Sequence, residues 1–293
     1  VLAVSEIDIP ASLGWWHASP GGSEWLARLP RLAAECAEQW GLVLGPAFPA
    51  GNVSLVLAAG DDAVLKIGFP DPESEHEAGV LELWDGNGAV RLLAHDPARS
   101  ALLLERCRPG SPLLELDEAA AENVVVDLLG RLSVSPPPQL PRLADLAARW
   151  VDELPLTWMR CGRPFERTIL DAAVAALAEL GPTQGSLVTA NQDLHAGNVL
   201  SATREPWLVI DPKPIAAEHE FTPVAMIRDR KEEVLAGTRP RERLRRRLAR
   251  LSTDLALDRE RVRGWTLAHT IAWGFDAGGA IPSHVEIARL LLE

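Results

Sequence analysis

The stretch Val188-Thr189-Ala190-Asn191-Gln192-Asp193-Leu194-His195-Ala196-Gly197-Asn198-Val199-Leu200 constrains this chain more than any other. Asp193 is followed five residues later by Asn198, and thirteen residues after that Asp211 closes the apolar run Trp207-Leu208-Val209-Ile210. One Asp-x4-Asn is weak evidence, because polar loops produce it by chance. The short apolar runs on either side change its weight, since they predict a hairpin that carries all three polar groups on one rim. A carboxylate at Asp193 can accept the proton of an attacking hydroxyl. An amide and a carboxylate at Asn198 and Asp211 can hold Mg²⁺ on the phosphates of ATP.

The segment resembles the Asp-Leu-His-x-x-Asn-Val-Leu loop of the aminoglycoside phosphotransferases. Glu205-Pro206-Trp207-Leu208-Val209-Ile210-Asp211-Pro212-Lys213-Pro214 and Gly264-Trp265-Thr266-Leu267-Ala268 are similar to the streptomycin 6-phosphotransferase and hydroxyurea kinase branch. The resemblance spans roughly residues 25 to 290. It implies an α+β, bilobal protein-kinase-like fold with a small β-rich N-lobe and a mainly helical C-lobe. It also implies ATP and Mg²⁺ as cofactors and a small cationic antibiotic as acceptor. Hydroxyurea, another antibiotic or a metabolite is the alternative acceptor, and a nucleotide-binding protein without turnover is the rival from another class.

The order of predicted elements agrees. Residues 1–22 read as an irregular arm. Ser23 to Trp40 has helical spacing with Ser23 as N-cap. Strands follow at 42–44, 53–58 and 63–67, then a helix over 72–84, then strands over 90–95 and 101–107. Arg108-Pro109-Gly110-Ser111-Pro112 is the predicted hinge, which makes 23–107 the N-lobe and 113–293 the C-lobe. Helices are predicted at 117–132, 143–154, 165–180, 223–235, 241–251, 259–273 and 283–292. The arginines of 241–250 read as a solvated helix face.

Lys66 ends the strand Ala63-Val64-Leu65-Lys66-Ile67 and is one of only three lysines, so its position there is not background. It resembles the strand lysine that contacts the α- and β-phosphates, with Glu77 as expected ion-pair partner and Glu73 and Glu75 nearby. The phosphate-covering loop falls around Gly51 and Asn52, which is not a Gly-x-Gly-x-x-Gly pattern. Backbone groups at Glu105 and Cys107 are assigned to adenine by the resemblance alone. His195 is read as organising the loop rather than catalysing. His76, His219, His269 and His284 form no ligand pattern. Lys213 is expected to meet phosphate or a carboxylate. For a substrate with guanidinium groups the candidates are Asp276, Trp273, Trp158, Asp152 and Glu153.

Two positions depart from the family pattern. Asn191 stands where the loop normally has His, and Thr222 stands where an Asp braces the loop.

The formal charge of −12 argues against a nucleic-acid partner, which needs basic surface, and suits a cationic substrate, although many soluble proteins are acidic. Three scattered cysteines give neither a disulfide framework nor a zinc site, and fit a reducing cytoplasm. No secretory leader and no membrane span are expected. A monomer is favoured.

Overall fold

A computed structural model describes residues 7–49, 53–71, 74–276 and 278–292. They divide into two compact units: residues through Pro112 together with Leu200–Asp211, and Leu113–Val199 together with Pro212–Glu293.

The first unit is built on helix α1 (Gly22–Trp40) and five antiparallel strands, β1 (Leu44–Ala47), β2 (Ser54–Ala59), β3 (Ala63–Gly68), β4 (Leu92–Asp96) and β5 (Ala101–Glu105), in the order β1-β2-β3-β5-β4. Helix α2 (Glu77–Trp84) lies between β3 and β4 in sequence. The apolar stripe of α1, Trp25, Leu26, Leu29, Leu32, Ala33 and Cys36, forms one core with Leu55, Leu57, Leu65 and Ile67 of the sheet. The stretch expected to be an arm belongs to this core. Residues Ala11–Ala18 form a 3₁₀ run that buries Leu13 and Trp16, and Trp16 stacks on Phe69. Helix α1 starts at Gly22, not after Ser23. A side chain at Gly22 would collide with the Trp16 carbonyl oxygen, and Ser23 Oγ instead meets His17 Nδ1 at 2.9 Å.

The chain returns to this unit after Val199. Strands Val199–Ser201 and Trp207–Val209 pair with each other, and Arg204 fastens the hairpin to the first unit. Its guanidinium donates to Glu105 at 2.8 and 2.9 Å, to the Gly86 carbonyl at 2.7 Å and to the Ala89 carbonyl at 2.9 Å. These bonds claim Leu200–Asp211 for the first unit, where a boundary read from sequence order assigned it to the second.

The second unit contains α3 (Glu118–Leu132), α4 (Leu143–Arg160), α5 (Arg167–Leu180), α6 (Val224–Ile227), α7 (Lys231–Ala236), α8 (Pro240–Asp254), α9 (Arg259–Ala272) and α10 (Pro282–Leu292). One antiparallel pair of strands, Leu187–Asn191 with Pro214–Glu218, supports the loop that follows Asn191. Three expectations change here. Helix α4 runs through Pro155 to Arg160, because buried Leu154 and Trp158 continue its apolar stripe past the proline. The single helix expected over 223–235 is two, broken where Arg230 takes a left-handed φ of +52°. The arginine-rich face of α8 is not simply solvated. Arg247 is fully buried and, with Arg243 and Arg250, grips Glu118 and Glu122 of α3. No helix among the described residues is long and apolar enough to cross a membrane.

Candidate active site

In the first unit the chemistry converges on Lys66. Strand β3 pairs with both β2 and β5, so Lys66 sits mid-sheet and only 7% exposed. Its Nζ donates to Glu77 at 2.5 Å and to Asp211 at 2.6 Å. Burial presses the ammonium toward neutrality, but Asp211 and Glu77 outweigh it and hold the pKa above the ordinary lysine range. Two carboxylates thus share one cation. Glu77 is the more deeply buried, and burial pushes its carboxyl up to about 7. Asp211 has a φ of +51°, a conformation that Asp and Asn tolerate better than most residues.

The expected adenine contacts separate. The Glu105 N–H is already donated to the Arg91 carbonyl at 2.9 Å, and its carboxylate holds Arg204, so of its backbone groups the N–H is not the one that could meet adenine. Cys107 has no backbone hydrogen bond among the described residues, and burial raises its thiol to about 12, which keeps it neutral. Gly51, Asn52 and Glu73 lie outside the described residues.

In the second unit the loop after Asn191 is fixed by its own side chains. Asn191 Oδ1 accepts from the Asp193 N–H and the Lys213 N–H, each at 3.0 Å, and so ties the two strand ends together. Asn198 Nδ2 donates to the Asp193 carbonyl at 3.0 Å, which leaves the amide oxygen as its donor atom for a metal. His195 Nδ1 accepts the Gly197 N–H at 3.0 Å, and a side chain at Gly197 would strike the imidazole. His195 therefore shapes the turn. The Asp193 carboxylate has Lys213 Nζ at 3.8 Å and His195 Nε2 at 3.9 Å.

Bracing of the loop comes from a residue that sequence reading missed. Asp229 Oδ2 accepts the Ala196 N–H at 2.9 Å, while Thr222 turns back to the His219 carbonyl. Glu218, buried in the same stretch, accepts from Arg261 and Trp265. An acid placed past the break at Arg228-Asp229-Arg230 carries no local signature, so only the fold reveals it.

The substrate candidates also divide. Trp158 is a core residue rather than a ligand platform: it is 6% exposed, its indole N–H donates to the Phe165 carbonyl, and Arg163 and Arg167 lie over its ring. Trp273 is half-buried, and Lys213 and Arg228 each lie 5.0 Å from its ring centroid, so protein cations already occupy the role foreseen for a substrate guanidinium. Asp276, Asp152 and Glu153 are exposed, with Glu153 3.8 Å from Arg149.

Beside Trp273 two histidines are held neutral. His269 is fully buried among Phe221, Trp150 and Trp273, and neither of its ring nitrogens has a hydrogen-bond partner among the described residues. Burial, then the charge of Arg228, keeps its pKa well below the ordinary 6.5. Burial pulls His284 down to about 3. The unfolded chain takes up these protons near pH 6.5 and the folded one does not. Stability from this cluster is therefore full above pH 6.5 and falls as pH drops, by up to about 1.4 kcal/mol per histidine per pH unit. Thermal midpoints measured from pH 7.5 to 5 check this, and His269→Phe is expected to flatten the acid side.

A family model described as aminoglycoside/hydroxyurea antibiotic resistance kinase matches residues 41–277. Streptomycin 6-kinase of Streptomyces glaucescens is 37% identical, over 97% of each chain. Hydroxyurea phosphotransferase of Kitasatospora aureofaciens is 40% identical, over 98% of this chain and 86% of that one. Among solved structures, an aminoglycoside phosphotransferase, APH(3'')-Id of Streptomyces rimosus, in complex with ADP and streptomycin, matches with a TM-score of 0.58 and 16% identity, over 84% of this chain and 99% of that one. That likeness gives the protein-kinase-like fold.

Proposed function

The chain belongs to the aminoglycoside/hydroxyurea antibiotic resistance kinase family, and from that premise we propose that it phosphorylates a hydroxyl of a streptomycin-like aminocyclitol with ATP and Mg²⁺. It is a phosphotransferase with an alcohol group as acceptor. The cytoplasm, where ATP is abundant, is the proposed place of action, and inactivation of the antibiotic is the proposed result.

The observation that carries the mechanism is the tie between Asn198 and the Asp193 backbone. It holds the proposed base and a proposed hard oxygen donor in one short loop. Asp193 orients the acceptor hydroxyl and takes its proton. The acceptor oxygen bonds to the γ-phosphorus while the bond to the bridging oxygen breaks, and its electron pair remains on ADP. Lys66, kept charged by Glu77 and Asp211, neutralises the α- and β-phosphates. The backbone of Cys107 is the proposed adenine contact, with Gly51 and Asn52 proposed to cover the phosphates. Asn198 and Asp211 are the proposed ligands of Mg²⁺, which takes hard oxygen donors and needs few from the protein. Bound there, the ion supplies charge neutralisation and orientation of the phosphates. Asp276, Asp152 and Glu153 are the proposed acids for a guanidinium-bearing acceptor, and the charge of −12 favours the approach of such a cation.

The likeness to a hydroxyurea phosphotransferase supports a second acceptor. Inactivity is the weaker reading, because Asn191 and Asp229 supply hydrogen bonds to the loop that the departures at 191 and 222 put in question.

The test is coupled ADP release from Mg-ATP with streptomycin, with hydroxyurea and with no acceptor. Streptomycin-dependent release is expected. Release with hydroxyurea alone moves the acceptor, and no release with any antibiotic of a panel sinks the reading.

A further inference from the structure

Arg228 is a buried cation with no carboxylate ion-paired to it among the described residues. It is 7% exposed, and its partners among the described residues are His284 Nε2, 3.3 Å from its Nη1, and the Trp273 ring. No carboxylate lies within salt-bridge distance of it among the described residues. Arg247 of α8, fully buried, grips Glu118 and lies 3.5 Å from Glu122. Burying an arginine without such a partner costs free energy that a purely structural role does not return. The neighbouring acids do not remedy this. Asp229 gives its carboxylate to the N–H groups of Ala196 and Arg230. Asp193 lies within Coulombic range of Arg228 but has Lys213, not Arg228, beside it. Burial draws the Arg228 guanidinium down to about 10, which leaves it charged at neutral pH.

Lys213 and Arg228 both lie 5.0 Å from the centroid of the Trp273 ring. The second unit thus holds two cations on one indole, next to the proposed base. Such an arrangement attracts a compact anion.

We propose that Arg228, with Lys213, forms an anion seat beside Asp193 that receives the transferring phosphoryl group. The seat rests on the phosphotransferase reading and adds a charge-stabilising residue to it. In the transfer the acceptor's proton goes to Asp193, the electron pair of the broken bond stays on ADP, and neither cation gains or loses a proton. What Arg228 contributes is fixed positive charge where the equatorial phosphoryl oxygens spread their negative charge.

The experiment compares wild type, Arg228→Gln, Arg228→Met and Lys213→Met in three measurements. The first is turnover with streptomycin. The second is Mg-ADP affinity by calorimetry, with and without aluminium fluoride as mimic of the transferring group. The third is the thermal midpoint. Aluminium fluoride is expected to tighten Mg-ADP binding to wild type. Both Arg228 variants are expected to lose that tightening, keep their affinity for Mg-ADP alone, and lose about a hundredfold or more in kcat, the size of removing one transition-state donor. Lys213→Met is expected to weaken the tightening as well. Removing Arg228 strands no carboxylate, so the thermal midpoint of Arg228→Met is expected to be unchanged or higher.

A collapsed midpoint in Arg228→Met assigns the residue to structure and overturns the seat. So does a folded Arg228→Gln protein that keeps wild-type turnover or the fluoride effect. A wild type whose Mg-ADP affinity ignores aluminium fluoride overturns it too. Fluoride-dependent tightening in a wild type that phosphorylates no acceptor in the panel has a different meaning: it overturns the proposed function and leaves the anion seat standing.

Discussion

Asp193→Asn is expected to lower kcat by about a thousandfold, within the range general-base catalysis contributes, while the KM for ATP changes little. The substitution is narrow. The bonds that shape the loop use the backbone at this position: its N–H donates to Asn191 Oδ1 and its carbonyl accepts from Asn198 Nδ2. Asparagine keeps both and has the same size. What disappears is the negative charge beside Lys213 and the capacity to take a proton. A loss confined to kcat follows from that, because an interaction used only as the hydroxyl attacks does not contribute to nucleotide binding. Single-turnover transfer with ATP in excess, beside ATP titration of the same protein, separates the two. Equal loss of ATP affinity and turnover would mean that Asp193 is structural.

Parts of this site can be read in the sequence because their logic is local. Lys66 and Glu77 are eleven residues apart, a strand lysine and an acid at the head of the next helix, and they meet at 2.5 Å. Asp193 and Asn198 lie in one loop. Other parts depend on residues far apart in the chain. Asp211, expected as a metal ligand, is also the second partner of Lys66 from 145 residues away. Arg247 reads as surface because its own segment is full of arginine. Glu118 and Glu122, which surround it, belong to a helix more than a hundred residues earlier. Arg228 and Asp229 read as ordinary helix positions, since periodicity does not register a single left-handed residue such as Arg230. Trp158 and Trp273 show the limit for aromatic residues. Composition cannot say whether an indole face is open, and here the neighbouring arginines and lysine decide it.

The same distinction applies to the departures from the family pattern. Asn191 in place of histidine lacks a ring to pack, yet its amide oxygen bridges two backbone N–H groups across the strand ends. Thr222 in place of aspartate does not reach the loop, and Asp229 does. A position-by-position reading counts two losses. The hydrogen bonds show that the loop's backbone is held from two sides, one bridge at its start and one brace at its turn.

Asp211→Asn is expected to behave differently from Asp193→Asn, losing both turnover and affinity for Mg-ATP. Asparagine tolerates the left-handed conformation at φ +51°, so the backbone there should persist. The fold should persist as well, because Lys66 keeps Glu77 at 2.5 Å and no longer divides its charge between two acids. The loss falls on the metal and the phosphates. A neutral amide is a poorer Mg²⁺ ligand than a carboxylate, and the expected fall in Mg²⁺ affinity exceeds the roughly 10–100-fold that losing an outer-shell partner costs. The check is a titration of ATP binding with Mg²⁺ for wild type, Asp193→Asn and Asp211→Asn, each with its thermal midpoint. Asp193→Asn should follow the wild-type curve, and Asp211→Asn should be displaced to higher Mg²⁺ with an unchanged midpoint. A displaced midpoint with an undisplaced Mg²⁺ curve would assign Asp211 to the support of Lys66 alone. The metal would then require another ligand, and the division of labour drawn between the two acids would fail.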